Sequence, residues 1–143
     1  ASFLKRNGAD PFLVQRMMQE DLHEYIEKAE VIRQAEVIYG RIALAVTERG
    51  QKYSQLLIAQ VADTLLNITN IDASFVISER PDGFIGISAR SLGHINVQII
   101  MEKLGGGGHL TNAATQLEGT LAQAAKQLKQ VLEEMDKEEG LFA

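Results

Sequence analysis

The chain of 143 residues is long enough for one domain with a buried hydrophobic core. Its net charge of −5 disfavours general binding to nucleic acid or to anionic membranes, and its lack of cysteine excludes disulfides and thiolate metal sites. No apolar stretch approaches the roughly 20 residues of a transmembrane helix, so we expect a cytoplasmic domain that makes no membrane contact of its own.

The first predicted element is a long helix. Asp10 and Pro11 suit the N-cap and the first helical position. Apolar residues then recur at spacings of three and four until about Ala35, namely Val14, Met18, Leu22, Tyr25, Ala29 and Ile32. The other faces are highly charged, which is typical of a helix that connects domains. The start "ASFLKRNGADP" lacks an initiator methionine, so we expect a piece of a longer protein.

The rest of the chain alternates between strand-like and helix-like segments. β-Branched and apolar runs predict strands, apolar positions at helical spacing predict helices, and Pro81-Asp82-Gly83 predicts a hairpin turn. In order, the segments are a strand at residues 37–47, a helix capped by Ser54, strands at 74–78 and 84–89, a helix at 97–104, a strand at 114–118 and a helix at 121–135. This order favours an α/β (α+β) fold in which helices flank a mixed β-sheet.

Four consecutive glycines, Gly105 to Gly108, follow the third predicted helix and precede His109. One glycine would end the helix at its C′ position. Four carry a large entropic cost, which favours a loop whose bare backbone approaches an anion. The run matches neither a Walker loop nor the dinucleotide-binding fingerprint. A flexible helix stop and an anion-binding loop therefore both remain open at this point.

Polar side chains accompany the glycines. His109 could donate a hydrogen bond to a phosphate, and the fork of Arg90 suits a phosphate or a base edge. Arg90 and Ser91 close the strand before the third helix, so they can meet the glycines on one side of the sheet. Ser88 and Asn96 are weaker candidates nearby. The structural alternatives are a surface ion pair for Arg90 and a first-turn helix residue for Asn96.

The stretch "ISARSLGHINVQIIMEKLGGGGHLTNAA" combines S-x-R-S, a helix and G-G-G-H followed by alanines. It resembles the DHH-associated C-terminal domain of the DHH phosphoesterase superfamily, over about residues 36–132. Together with "ADTLLNITNIDASFVI", it is similar to the membrane-anchored cyclic di-AMP phosphodiesterases of Gram-positive bacteria. The resemblance implies that residues 1–35 are the tail of a DHH domain and a linker helix, and that residues 36–143 form a substrate-binding domain.

The resemblance also implies a division of roles. The glycine loop and its histidine would contact a phosphate, and the Arg-Ser segment would contact the nucleotide: Gly106, Gly107, Gly108 and His109, then Arg90 and Ser91. Catalysis would belong to a two-manganese centre in a DHH domain that this chain lacks. The nearest stretch, "EDLHEY", is better interpreted as a solvated helix face that includes His23. We therefore expect the chain alone to bind no metal and to hydrolyse no phosphodiester.

By this resemblance the parent protein is a manganese-dependent hydrolase, anchored in the bacterial cell membrane, that converts cyclic di-AMP to pApA. The expected partners are a cyclic dinucleotide or short adenine nucleotide and the parent's own DHH domain, and a homodimer is left open. The alternatives are a nanoRNase or 3′-phosphoadenosine 5′-phosphate phosphatase of the same superfamily, or a non-catalytic nucleic-acid-binding module like the C-terminal domain of alanyl-tRNA synthetase. The net negative charge of the chain disfavours the nucleic-acid-binding module. The apolar spacing of the first helix departs from coiled-coil heptads, which favours a connecting helix over a dimeric coiled coil.

Overall fold

The computed structural model describes residues 11–140, with side chains from residue 21 onward. The helices of this part are α1 (Pro11–Ile32), α2 (Gln55–Leu66), α3 (Val97–Lys103) and α4 (Leu121–Glu139). Its strands are β1 (Ala35–Ile38), β2 (Ile42–Val46), β3 (Ala73–Glu79), β4 (Ile85–Ser91), β5 (Gly107–His109) and β6 (Asn112–Leu117). The strands form one sheet in the order β1-β2-β3-β4-β6-β5. The predicted α+β fold with a mixed sheet and flanking helices is confirmed.

The sheet is mixed because β2 and β3 pair in parallel, with α2 as the crossover between them, while its other neighbouring strands pair antiparallel. The hairpin predicted from Pro81-Asp82-Gly83 is confirmed, since β3 and β4 pair antiparallel across this turn. The guanidinium of Arg80 and the amide of Phe84 donate to the Asp82 carboxylate. The hydrogen bond from Arg80 lowers the pKa of that carboxyl group below its ordinary value.

The prediction of one strand over residues 37–47 is wrong, because the segment contains a tight hairpin between β1 and β2. Tyr39 and Gly40 both have positive φ, at 54° and 72°, as a type I′ turn requires. The N–H of Arg41 donates to the carbonyl of Ile38 at 3.3 Å and closes the turn. The apolar and β-branched residues on both sides of Gly40 concealed this turn in the sequence.

A hydrophobic core lies on each face of the sheet. On one face, α3 and α4 pack over the strands, and the largest side chains there include Leu44, Phe75, Ile77, Ile87, Ile100, Met101, Leu128 and Leu132. On the other face, α2 and the end of α1 cover Ala43, Ala45 and Val76. This second core contains no residue of β4, β6 or β5. The second face of these three strands therefore lies outside the hydrophobic core.

The long helix α1 ends at Ile32, slightly before the predicted end at Ala35. Val31 of this helix is buried in the second core. Four apolar residues at helical spacing are exposed and form what we call the apolar stripe: Leu22, Tyr25, Ile26 and Ala29. The predicted N-cap, Asp10, lies outside the described residues, as do the side chains of Val14 and Met18. In the described part, the helix is therefore only partly covered by the domain that follows it.

None of the helices in the part of the chain that the structure describes is both long enough and apolar enough to cross a membrane.

Candidate functional site

The first two glycines of the run end α3. Gly105 has a φ of 85°, its N–H donates to the carbonyl of Glu102 at 3.1 Å, and the N–H of Gly106 donates to Met101 at 2.8 Å. This pair of hydrogen bonds is the Schellman motif, with Gly105 at the C′ position. The role predicted for Gly105 as a helix stop is confirmed.

The end of the run is a strand, not the predicted loop. Gly107 to His109 forms β5 at the edge of the sheet and pairs with β6. A Cβ on Gly106 would lie 2.2 Å from the carbonyl oxygen of Ala114, and a Cβ on Gly108 would lie 2.5 Å from that of Asn112. Glycine is therefore required at these two positions because the backbone lies directly against β6.

Gly107 differs from its two neighbours. A Cβ at this position would meet no atom within 4 Å, and the backbone is not in the left-handed region. Neither steric conflict nor backbone conformation therefore requires glycine at Gly107 within the described structure. The space beside Gly107 is therefore open to solvent.

Arg90, Asn112 and His109 occupy directly opposed positions on three neighbouring strands. Arg90 is paired with Asn112 between β4 and β6, and Asn112 is paired with His109 between β6 and β5. Directly opposed residues project from the same face of a sheet. Arg90 and His109 thus flank Asn112, two strand spacings or roughly 10 Å apart. The structure brings the predicted arginine and histidine to one face.

A row of small residues lies beside this polar row. Ser88 is paired with Ala114, and Ala114 is paired with Gly107, on the same face as Arg90 because positions two apart share a face. Ser88 is only 7% exposed, and its hydroxyl makes no hydrogen bond to any described residue. We call these two rows the open face; its members are Ser88, Arg90, Asn112, Ala114, Gly107 and His109.

Arg90 is held in place by α2. Its Nε donates to Oδ1 of Asp63 at 2.9 Å, and its Nη1 donates to the carbonyl of Ala89 at 2.9 Å. Only 13% of the Arg90 side chain is exposed, against 63% for Asp63. Two hydrogen bonds therefore orient the guanidinium, while Nη2 has no partner among the described residues. The ion pair that was the structural alternative for Arg90 exists, and it leaves Nη2 of the guanidinium without a partner among the described residues.

Ser91 and Asn96 stabilise the connection between β4 and α3. The hydroxyl of Ser91 donates to the carbonyl of Ile95 at 2.5 Å and accepts from the N–H of Gly93 at 2.8 Å. Asn96 is the N-cap of α3, since its Oδ1 accepts from the N–H of Ile99 at 3.3 Å. Ser91 is buried and does not share the face of Arg90, so it lies outside the polar row.

The sequence interpretation missed Asp63 and Asn112. Asp63 lies 27 residues before Arg90, and no local motif connects the two. Asn112 lies within the stretch that carries the family resemblance. Two residues separate it from His109, which is the loop length of a tight β-hairpin. That hairpin signal was available, but glycines rarely indicate a strand.

Within the described residues, no group of three or more His, Asp or Glu side chains could hold a metal ion. His23 lies on α1 and faces Glu27 at 3.4 Å, with most of its side chain in solvent. The described side chains therefore offer no site for the manganese centre, which the family resemblance assigns to a DHH domain.

The chain belongs to the DHHA1 domain family, whose family model matches residues 34–138. It is 50% identical over 133 residues to the cyclic-di-AMP phosphodiesterase GdpP of Geobacillus thermodenitrificans, covering 92% of this chain and 20% of that protein. It is also 50% identical over 129 residues to the cyclic-di-AMP phosphodiesterase PdeA of Listeria monocytogenes, covering 90% and 20%. The chain thus spans about a fifth of the length of the curated relatives it matches.

Solved structures share the fold at lower sequence identity. An exopolyphosphatase-related protein from Bacteroides fragilis matches with a TM-score of 0.69 and 23% identity, over 80% of this chain and 35% of that one. The C-Ala domain of Aquifex aeolicus alanyl-tRNA synthetase matches with a TM-score of 0.51 and 22% identity, over 68% and 96%. These likenesses show that the architecture recurs in other proteins.

Substituting alanine for each of the three glycines beside β6 should have different effects on the free energy of unfolding. Gly106→Ala and Gly108→Ala place a methyl group against the backbone of β6, so we expect each to lower the free energy of unfolding by about 1–3 kcal/mol. Gly107→Ala has open space and should change it by less than about 1 kcal/mol. Urea unfolding of the three variants measures this difference. Equal losses at all three positions would contradict the assigned packing of β5.

Proposed function

We propose that the open face binds a phosphate and an adenine of a cyclic dinucleotide, as the substrate-binding domain of a manganese-dependent phosphodiesterase that converts cyclic di-AMP to pApA. The observation that carries this proposal is the polar row of Arg90, Asn112 and His109 beside small residues, on a part of the sheet outside the hydrophobic core. Support for the substrate class comes from relatives at 50% identity, both named cyclic-di-AMP phosphodiesterases.

The chemistry of the row suits a phosphate between two donors. Arg90 contributes a fixed positive charge and a free Nη2, and charge-assisted hydrogen bonds to phosphate are the strong ones. His109 is exposed, has no partner among the described residues and can donate from a ring nitrogen. The small neighbours Gly107 and Ala114 let the ligand approach the backbone. The phosphate therefore lies across β6, between the arginine and the histidine.

Asn112 and Ser88 complete the proposed contacts. The amide of Asn112 offers one acceptor and two donors in one plane, which matches an adenine edge. Ser88 is 7% exposed, and its hydroxyl has no hydrogen-bond partner among the described residues, so it is available to a ligand atom on the open face. Ser91 and Asn96 contribute indirectly, because they fix the loop that follows Arg90.

The rest of the reaction is assigned to the parent protein. Its DHH domain would hold the manganese centre, precede this chain and pack on the apolar stripe of α1, whose exposed side chains leave a surface for it. The parent would be anchored in the bacterial cell membrane, with this domain on the cytoplasmic side. In this arrangement the chain positions the nucleotide and another domain cleaves it.

The isolated chain should therefore release no pApA from cyclic di-AMP, with or without manganese, because its described residues contain no metal-binding group. Chromatography of the nucleotides after prolonged incubation measures this. Manganese-dependent turnover by the pure chain would show that the catalytic machinery does not belong to another domain.

Removing a side chain of the polar row should weaken nucleotide binding without unfolding the domain. Arg90→Ala and His109→Ala each remove one charge-assisted contact worth roughly 1.5–3 kcal/mol, so each should weaken binding about ten- to a hundredfold. Gly107→Ala should also weaken it, because the methyl group occupies the approach to the backbone. The measurement is calorimetric titration of pApA into the two-domain protein.

Lys129→Gln is the matched control for these three variants. It removes a positive charge that pairs with Glu36 at 3.4 Å, away from the open face, and should leave the affinity unchanged. If Arg90→Ala, His109→Ala and Gly107→Ala all remain folded and bind pApA like the wild type, the open face is not the nucleotide site.

Asp63 should act through Arg90. Asp63→Asn keeps the side-chain size but removes the ion pair, so the guanidinium must be ordered when the ligand binds, at a cost of about 0.5–1.5 kcal/mol. Because Asp63 is largely exposed, the repulsion it exerts on a phosphate is screened and smaller. We therefore expect about two- to tenfold weaker binding of pApA.

A double-mutant cycle tests whether Asp63 acts through Arg90. In an Arg90→Ala background, Asp63→Asn should no longer weaken binding, because the side chain that it positions is gone. The same loss in both backgrounds would mean that Asp63 acts on the ligand or on the fold independently of Arg90.

A further inference from the structure

Two exposed leucines lie at the end of the open face. Leu92 is 60% exposed and follows Arg90 by two residues, and Leu110 is 44% exposed and precedes Asn112 by two residues. Neither leucine belongs to either hydrophobic core. One exposed leucine on a protein surface needs no explanation, but two beside a polar site provide an apolar surface that a ligand can cover.

The strand register brings the two leucines together. The N–H of Ser91 donates to the carbonyl of Thr111 at 3.0 Å, so the pairing of β4 with β6 continues up to the β5–β6 loop. One step further along this register, Leu92 lies opposite Leu110, at the strand spacing of roughly 5 Å. Leu92 also lies on the face of Arg90, because positions two apart along a strand share a face.

The backbone of Leu92 is held on both sides. Its N–H donates to the carbonyl of Asp72, next to the start of β3, at 3.0 Å. On the other side, the hydroxyl of Ser91 donates to the carbonyl of Ile95 and accepts from the N–H of Gly93 at 2.8 Å. The leucine side chain therefore projects into solvent from a fixed backbone, so a ligand that covers it pays little for ordering the loop.

The size and position of this apolar surface suit a small ligand. Two leucine side chains offer far less than the roughly 800 Å² per partner that a stable protein interface buries. Positions two apart on a strand are separated by roughly 7 Å, a distance that the ribose of a nucleotide can span. A phosphate on the polar row would thus leave its base beside the leucines. Leucine makes no hydrogen bonds, which suits the flat face of a base and leaves the edge of the base to Asn112.

We propose that Leu92 and Leu110 form a base platform for the nucleotide whose phosphate the polar row binds. This inference rests on the proposed nucleotide site, since it adds a contact surface to the same open face. The flat face of the adenine covers both leucines, while one edge of the ring reaches the amide of Asn112. Covering the leucines removes apolar area from water, which stabilises the complex.

Methyl chemical shifts of the two-domain protein, labelled with ¹³C at the leucine methyl groups, test this with pApA as the probe. A purine ring stacked on a methyl group shifts its proton signal upfield through the ring current. We expect saturable upfield shifts for Leu92 and Leu110, whose signals are assigned from their loss in Leu92→Met and Leu110→Met. Leu56 is the control, because it is 67% exposed and lies seven residues of α2, roughly 10 Å, before Asp63. Its methyl signals should not move.

The affinity for pApA should depend on the apolar surface of Leu92. Leu92→Ala removes much of that surface and should weaken binding about three- to tenfold in calorimetric titration. Leu92→Met keeps an apolar side chain of similar size and should retain the affinity that Leu92→Ala loses. Leu56→Ala is the matched control and should bind like the wild type. Since both leucines are exposed, folding should be retained in all three variants.

The outcomes separate this inference from the proposed nucleotide site. If Arg90→Ala weakens binding but the methyl signals of Leu92 and Leu110 do not shift, the base platform is overturned and the phosphate site stands. The same conclusion follows if Leu92→Ala binds pApA like the wild type. If Arg90→Ala itself binds unchanged, the proposed nucleotide site fails and the base platform fails with it.

Discussion

The close approach of the glycine backbone to β6 determines where His109 lies. Gly106 and Gly108 leave no room for a Cβ atom on that side, so only bare backbone can approach this closely. The contact turns the end of the glycine run into an edge strand and places His109 opposite Asn112. Through β6, the same register reaches Arg90 on β4. The polar row therefore depends on two residues that contribute no side chain to it.

The two faces of the sheet are covered unequally, which explains why a polar row can exist on β4, β6 and the edge strand β5. On the face of α3 and α4, side chains of β2, β3, β4 and β6 are buried, which stabilises the sheet. On the other face, α2 covers β2 and β3 but leaves β6 and β5 exposed. Arg90 lies at this boundary, where its stem is sheltered and Asp63 orients its charged end. One face of the sheet thus holds the core that stabilises the fold, and the other leaves the polar row accessible.

Local chemistry accounts for what the sequence could predict. The β3–β4 hairpin was predictable because its turn residues and flanking strands are contiguous. The expectation that Arg90 and the glycine segment meet on one side of the sheet agrees with the strand register. The β1–β2 hairpin was missed because Gly40 stands within an apolar run. β5 was missed because its three pairings join glycines and a histidine to alanines and an asparagine, and glycine, alanine and asparagine are depleted in strands. The pairing of Asp63 with Arg90 joins segments that are distant in the sequence, which periodicity does not encode.

The hairpin between β5 and β6 has only Leu110 and Thr111 as its loop, and both carbonyls are engaged, by the N–H of Val97 at 3.1 Å and of Ser91 at 3.0 Å. Because side chains alternate along a strand, inserting or deleting one residue here would exchange inward and outward positions along the hairpin. Asn112 would turn toward the core, and Ala113 would face solvent. A change of loop length that shifts this register therefore affects buried positions along the hairpin, whereas a substitution of Leu110 or Thr111 changes one exposed side chain.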